Sequence, residues 1–189
     1  GATVLEAAQK IGVYVPTLCH DPHLKTYGAC RLCIVQIDGL RGLPTSCTTP
    51  VQEGMVVVTE TEEIQRIRRG IVELAIVDHP ADCLTCFKSD ECELLSVARY
   101  LGVENQSIDR LRRPATAMSL DISNPAFDFD PNKCILCGKC IRVCDEIQGL
   151  GAIDFAERGY HTRVSTFAGK PWADSICQPC GECVDRCPS

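Results

Sequence analysis

"CILCGKCIRVC", residues 134–144, returns as "CQPCGECVDRC" at residues 177–187, with four cysteines and one glycine in the same places. This is an internal repeat, two copies of one supersecondary unit. Each copy spaces its thiols C-x2-C-x2-C-x3-C. Pro188 closes the second copy, while Asp145 stands at that place in the first and leaves the local turn there open. Zinc or a disulfide could use one C-x2-C pair, but neither gives a role to two complete runs.

Composition sets the bounds around that repeat. The chain has 189 residues, 45% hydrophobic and only 5% aromatic, which is thin for large cores. Fifteen cysteines compensate. So many thiols in a short chain mean a disulfide scaffold or metal sites, and spacing must decide. The net charge of −6 argues against nucleic acid as a partner. No apolar run is long enough to span a bilayer and the first residues are not an export signal, so a cytoplasmic protein is expected.

"GATVLEAAQKIG" predicts a helix with Thr3 as N-cap, Glu6 as its capping-box partner and Gly12 at the C-terminal end. Residues 1–60 read as a small β-grasp-like domain lacking its first strands, with β-rich runs at Cys33 ("CIVQI") and Met55 ("MVVVTE"). Residues 61–77 read as a helix with an apolar stripe at Ile64, Ile67, Ile71, Leu74 and Val77, and with Arg66, Arg68, Arg69 and Glu73 on other faces. It opens a small helical domain, 61–105, whose second helix runs from Cys92 to Gly102. Residues 106–130 read as a linker with a turn of helix near Ile108 to Arg112, and 131–189 as the repeat domain. The chain stops two residues after Cys187, so it is expected to be part of something longer. The fold class is α+β.

Four groups carry the chemistry. Cys19, Cys30, Cys33 and Cys47 are spaced C-x10-C-x2-C-x13-C, the middle pair on the loop "YGACRLC", where Gly28 and Ala29 allow backbone N–H groups to turn toward sulfur. A zinc site is the alternative reading of that set. The first gap is longer than in plant-type [2Fe-2S] ferredoxins. "PTLCH" and "GACRLC" instead resemble the ferredoxin-like domain that opens the large iron-sulfur subunits of NADH:quinone oxidoreductases, iron-only hydrogenases and NAD-linked formate dehydrogenases. That resemblance implies a [2Fe-2S] cluster here.

His79, Cys83, Cys86 and Cys92, in "DHPADCLTCFKSDEC" at residues 78–92, resemble the histidine-ligated [4Fe-4S] site of the same families. A histidine beside a proline at a helix end is ordinarily a capping or solvated residue. Three cysteines, however, fall one short of the four ligands that a four-iron cube takes, and the helix before Asp78 fixes where the imidazole enters. The repeat resembles the C-x2-C-x2-C-x3-C-P run of bacterial two-cluster ferredoxins, in which each fourth cysteine serves the other cluster. By that resemblance Cys134, Cys137, Cys140 and Cys187 hold one [4Fe-4S] cluster, and Cys177, Cys180, Cys183 and Cys144 hold another. Fifteen cysteines and one histidine thus supply four clusters with four ligands each, and no cysteine is left over.

No second chemistry stands out. "GLGAID" at 149–154 lacks the third glycine of a dinucleotide fingerprint, and "AGKP" lacks the upstream glycine of a phosphate loop. His20, His23 and His161 read as loop histidines, and the arginines at 66, 68, 69, 110, 112 and 113 as a solvated, ion-paired face or a surface for an acidic partner. No catalytic residue is expected within these residues. The resemblance implies the electron-relay part of a larger oxidoreductase. In their usual form the NADH:quinone subunits keep only part of the tandem block, whereas all eight cysteines are present here. "DPNKCILCGKCIRVCDEIQGLGAIDFAERG" looks most like the formate dehydrogenase version, in which a molybdenum or tungsten pterin site would follow Ser189. An iron-only hydrogenase and the diaphorase subunit of an NAD-linked nickel-iron hydrogenase stay open. The implied partners are a flavin- and NAD-binding diaphorase subunit, a further iron-sulfur subunit, and a catalytic domain or subunit with a pterin or a hydrogen cluster.

Overall fold

The computed structural model describes residues 1–103, 108–109, 111 and 117–189. The chain is α+β, built from short elements around four small cores. Arg110, Arg112 and Arg113 lie outside the described residues, as does part of the turn expected there; Ile108 and Asp109 are helical.

Helix α1 (Val4–Lys10) has the expected reciprocal cap. Thr3 Oγ1 accepts from Glu6 N–H and Glu6 accepts from Thr3 N–H, and the helix ends at Ile11 with Gly12 at a φ of 76°. Its first N–H groups are spent on the turn that carries Cys47: Val4 donates to Thr49 O and Leu5 to Ser46 O. Strands β1 (Gln36–Ile37) and β2 (Val57–Val58) pair antiparallel, each shorter than the β-rich run that predicts it. Much of that region is irregular backbone held by single bonds, such as Ser46 N–H to Cys33 O at 2.8 Å.

Helix α2 (Glu62–Ile76), capped by Thr61, packs on α3 (Glu93–Leu101) through Val72, Leu94, Val97 and Leu101. Its buried face differs from the expected stripe. Ile64, Arg68 and Val72 are inside, whereas Leu74 is 66% exposed. The reading of Arg68 as part of a solvated face is therefore corrected. Arg68 is 0% exposed and donates from Nε to Leu32 O at 2.9 Å and from Nη2 to Ile34 O at 3.0 Å, satisfying two carbonyls of the Cys33 loop that no strand pairs. A buried polar anchor has overridden the apolar periodicity.

In the last block, α4 (Lys139–Glu146) and α5 (Glu182–Asp185) each follow a glycine with positive φ, Gly138 and Gly181. Strands β3 (Ile153–Ala156) and β4 (Arg163–Thr166) form a hairpin over the core of Ile153, Val164 and Trp172. The segment read as a linker takes part in that core. Phe127 and Phe129 pack on Trp172 with ring centroids 5.1 and 5.3 Å away, and Asp121 and Phe129 exchange backbone bonds.

The blocks are laced together. Arg142, on α4, donates to Lys25 O and Cys19 O at 2.6 and 2.5 Å and covers the Tyr27 ring. Lys25 N–H donates to Glu146, and Arg186 reaches Asp21. Tyr27 in turn lies against Gly138, where an added Cβ would come within 3.2 Å of its ring. The Cys19–Tyr27 segment is thus a strap fastened to the repeat domain.

Two outcomes follow from these anchors. Arg68→Met strands two buried carbonyls, a cost of about 3 kcal/mol, and lowers the thermal midpoint by roughly 6–12 °C at ~2–4 °C per kcal/mol for a chain of this size; calorimetry of the anaerobic protein reads it. Arg142→Gln raises amide exchange across residues 19–27 roughly tenfold, for about 1.5 kcal/mol of lost charged hydrogen bonding, and leaves exchange in α2 unchanged.

Candidate metal centres

The first sulfur set converges on one loop. Cys19, Cys33 and Cys47 are each 1% exposed, and Cys30 N–H donates to Cys19 Sγ at 3.4 Å. The sulfurs face one another in pairs. Hydrogen bonding from Cys19 lowers the Cys30 pKa and hydrogen bonding from Cys47 lowers that of Cys33, while Cys19 and Cys47 are raised by the same bonds and by burial. Cys47 also feels Cys19 and Cys30, so all four share one space. Two backbone features allow it. Gly28, at a φ of 67°, lies where a Cβ would meet Thr48 at 3.0 Å, and Arg31 between the middle pair takes a φ of 61°. A left-handed arginine costs roughly 1–3 kcal/mol, which this loop sustains between two thiols.

The repeat brings its cysteines together crosswise. Burial, then the Cys187 sulfur among others, raises Cys134, Cys137 and Cys140, with Cys137 pushed up to about 12. Burial and then Cys177, Cys180 and Cys144 raise Cys183 to about 11, and Cys177 is raised by burial and by Cys144 and Cys180. The last sulfur of each run therefore sits with the first three of the other. Cys144, Cys177, Cys180 and Cys183 line a small cavity, and Cys134, Cys137, Cys140 and Cys187 line a larger one beside it. Donors point at the sulfurs: Leu136 N–H to Cys134 at 3.4 Å, Ala152 N–H to Cys144 at 3.3 Å and Asn124 Nδ2 to Cys177 at 3.7 Å. "GLGAID" has its role here, since Gly149 and Gly151, both at positive φ, lead the backbone to Ala152 and so to Cys144.

The second set is more open than the first. Cys83 is exposed; Cys86, Cys92 and His79 are half-buried. His79 Nδ1 lies 3.0 Å from Pro80 O, a geometry that places the ring proton on Nδ1. Nε2, the remaining lone pair, is buried with no hydrogen-bond partner among the described residues. An unpaired buried nitrogen is costly unless something is bound to it. Cys92 caps α3, its sulfur accepting from Leu95 N–H at 3.4 Å, and Lys133 Nζ lies 3.6 Å from Cys86 Sγ.

Clustered cysteine sulfurs, N–H donors aimed at sulfur and an orphaned imidazole nitrogen make a donor set that fits iron-sulfur clusters. Among the described residues no three His, Cys, Asp or Glu close around a point as one ion would need. Sequence reasoning missed Arg68, Asn124, Lys133 and Arg142. Only Arg142 carried a signal, as a cation inside a cysteine run.

Residues 1–62 match the 2Fe-2S iron-sulfur cluster binding domain family, residues 68–107 the NADH-ubiquinone oxidoreductase-G iron-sulfur binding region, and residues 124–189 the ferredoxin-like domain of NADH-quinone oxidoreductase subunit 3. A crystal structure of an NAD+-reducing [NiFe]-hydrogenase in the H2-reduced state superposes with a TM-score of 0.82 at 33% identity, covering 93% of this chain and 73% of that one. The chain belongs to the iron-sulfur subunit family of NADH-quinone oxidoreductases and NAD(P)-linked hydrogenases. Within that family it is 39% identical, over 99% of its length, to the NADPH-Fe(3+) oxidoreductase subunit alpha of Geobacter sulfurreducens. It is 36% identical, over its whole length, to the NADP-reducing hydrogenase subunit HndD of Solidesulfovibrio fructosivorans. The chain spans 21% of the first relative and 33% of the second. Among the described residues no helix is long and apolar enough to cross a membrane.

Because the cysteine loops are held by few bonds of their own, bound clusters are expected to contribute to the folding of this chain. Iron removed anaerobically by a chelator leaves a chain whose near-UV circular dichroism collapses and whose amide protection is lost first around residues 78–92 and 134–144. Hydrogen exchange of the stripped and loaded forms reads the difference.

Proposed function

We propose that this chain relays single electrons between a flavin- and NAD(P)-binding subunit and a catalytic site, through one [2Fe-2S] and three [4Fe-4S] clusters. Cys19, Cys30, Cys33 and Cys47 would hold the [2Fe-2S] cluster, and His79, Cys83, Cys86 and Cys92 the first [4Fe-4S] cluster. Cys134, Cys137, Cys140 and Cys187 would hold the second, with Cys177, Cys180, Cys183 and Cys144 holding the third. When bound, such clusters accept and release one electron at a time with little rearrangement. The carrying observation is the crossing of the two runs, Cys187 beside the first three sulfurs of one and Cys144 beside those of the other.

The protein's part is to hold, orient and desolvate. Backbone N–H groups of Cys30, Leu136 and Ala152 point at ligand sulfurs, and Lys139, 4% exposed, pairs with Glu93 to lock α4 against α3. Leu94 N–H donates to Pro188 O, so the helix that begins at Cys92 is tied to the residue after Cys187. These ties support the domain reading of 1–60, 61–105 and 131–189 as three cofactor modules with fixed mutual placement. A chain that needs fifteen reduced thiols fits a cytoplasmic setting.

For the parent enzyme, the stretch 130–159 favours a molybdenum or tungsten formate dehydrogenase, with a pterin domain and an NAD-linked diaphorase as partners. The similarity to an NADP-reducing hydrogenase subunit and to an NAD+-reducing [NiFe]-hydrogenase structure supports the second reading, a hydrogenase arm.

His79→Ala tests the scheme. It removes one four-iron signal from the electron paramagnetic resonance spectrum and about four of the roughly fourteen irons that the proposed clusters hold, with the other three centres retained. Unchanged iron and an unchanged spectrum overturn the ligand assignment.

A further inference from the structure

Lys133 belongs by its backbone to one centre and by its side chain to another. It ends a 3-10 turn, Pro131–Lys133, that the Asp130 carboxylate caps through Asn132 N–H, and the next residue is Cys134. Its carbonyl accepts from Ser189 Oγ at 2.9 Å, which holds it beside the Cys187 end of the chain. The side chain leaves that domain. Nζ lies 3.6 Å from Cys86 Sγ, 3.2 Å from Asp82 Oδ2 and 5.9 Å from the centroid of the Phe87 ring. It is 20% exposed. Three groups of the loop that follows His79 therefore converge on one ammonium supplied from 47 residues away.

We propose that Lys133 is a positioning residue that sets the reduction potential of the centre held by His79, Cys83, Cys86 and Cys92, through its ammonium against the Cys86 sulfur. The inference rests on the ligand assignment above. Reduction adds one electron and hence one negative charge to that centre. A fixed cation at a ligand sulfur stabilises the more negative state, and hydrogen bonds to sulfur act in the same direction. Asp82 opposes it, being an anion on the same loop that partly neutralises the ammonium. The pair is thus a graded control. Removing the cation leaves the carboxylate facing the sulfur alone, and removing the carboxylate leaves the cation unopposed. Its ammonium makes its sulfur contact with Cys86, so the bias falls most strongly on that centre and less on those of the repeat.

The test is a redox titration of the cluster-loaded chain followed by electron paramagnetic resonance, in wild type, Lys133→Gln, Lys133→Arg and Asp82→Asn, with the His79-dependent signal identified by its loss in His79→Ala. In Lys133→Gln that signal titrates more negative by about a tenfold fall in the reduced-to-oxidised ratio at fixed potential, ~59 mV for a one-electron couple. In Asp82→Asn it shifts positive, and Lys133→Arg stays near wild type. A loosened loop moves both neutralising variants the same way, so opposite signs separate charge from structure. Potentials that coincide in wild type and Lys133→Gln, or an equal shift in the repeat centres, overturn the proposal. If no signal depends on His79, the ligand assignment falls and this inference with it; a His79-dependent signal indifferent to Lys133 sinks the inference alone.

Discussion

Sulfur needs its partners brought to it, and the whole chain is arranged around that need. Burial in apolar surroundings pushes a thiol up, as at Cys137 and Cys183, and a thiolate there is tolerable only when cations or N–H dipoles face it. Most backbone N–H groups in a protein are spent on helices and sheets. Here the longest strands have four residues and much of the backbone near the cysteines is irregular. Its N–H groups are free to turn inward, at Cys30, Leu136 and Ala152. Positive φ values at Arg31 and Leu136, each inside a C-x2-C pair, show the backbone held in an uncommon conformation at the places where it bends around sulfur.

A chain that spends its backbone this way has little secondary structure to hold its modules together, and long basic side chains share that task with apolar contacts. Arg68 ties α2 to the Cys33 loop, Arg142 ties α4 to the Cys19 strap, and Lys133 ties the repeat domain to the His79 loop. Each reaches a ligand-bearing segment through a carbonyl or a sulfur. Arginine suits the carbonyl sites because its fork makes two bonds in fixed directions, as Arg68 does to Leu32 and Ile34. Lysine suits the sulfur site, where a compact charge is wanted. Mutual placement of the modules comes from these crossings together with a shared core, in which Leu18 and Leu32 pack with Val72, Leu94, Val97 and Leu101, and Ile135 lies against them.

The helices were legible in the sequence, and the wiring between the modules was not. Thr3 and Glu6 announced α1, the apolar period announced α2, and Gly102 ended α3, because caps and periods are local signals. Cysteine spacing outlined the four groups for the same reason. The buried face of α2 was misread because Arg68 occupies a position at which a leucine would have completed the pattern, and only the unpaired carbonyls of Leu32 and Ile34, far away in sequence, explain its presence. The strap around Cys19 was equally hidden, since its bonds to Arg142 and Glu146 cross more than a hundred residues. Phe127 and Phe129 lay in a stretch without periodicity, and their packing on Trp172 is decided by the hairpin that follows.

The two halves of the repeat differ at one residue with consequences for the rest. After Cys187 comes Pro188, which cannot continue a helix, and α5 stops at Asp185. After Cys144 comes Asp145, and α4 continues to Glu146. That added stretch presents Glu146 to Lys25 N–H, so the strap carrying Cys19 acquires its second fastening on the half that lacks the proline. The proline-bearing half gains something else: Pro188 O, left outside any helix, accepts from Leu94 at the start of α3. A symmetric pair of prolines would have given up the first tie, and a symmetric pair of aspartates the second. The departure from the repeat thus adds the Glu146 tie to a strap that the other half already holds through Arg186 and Asp21.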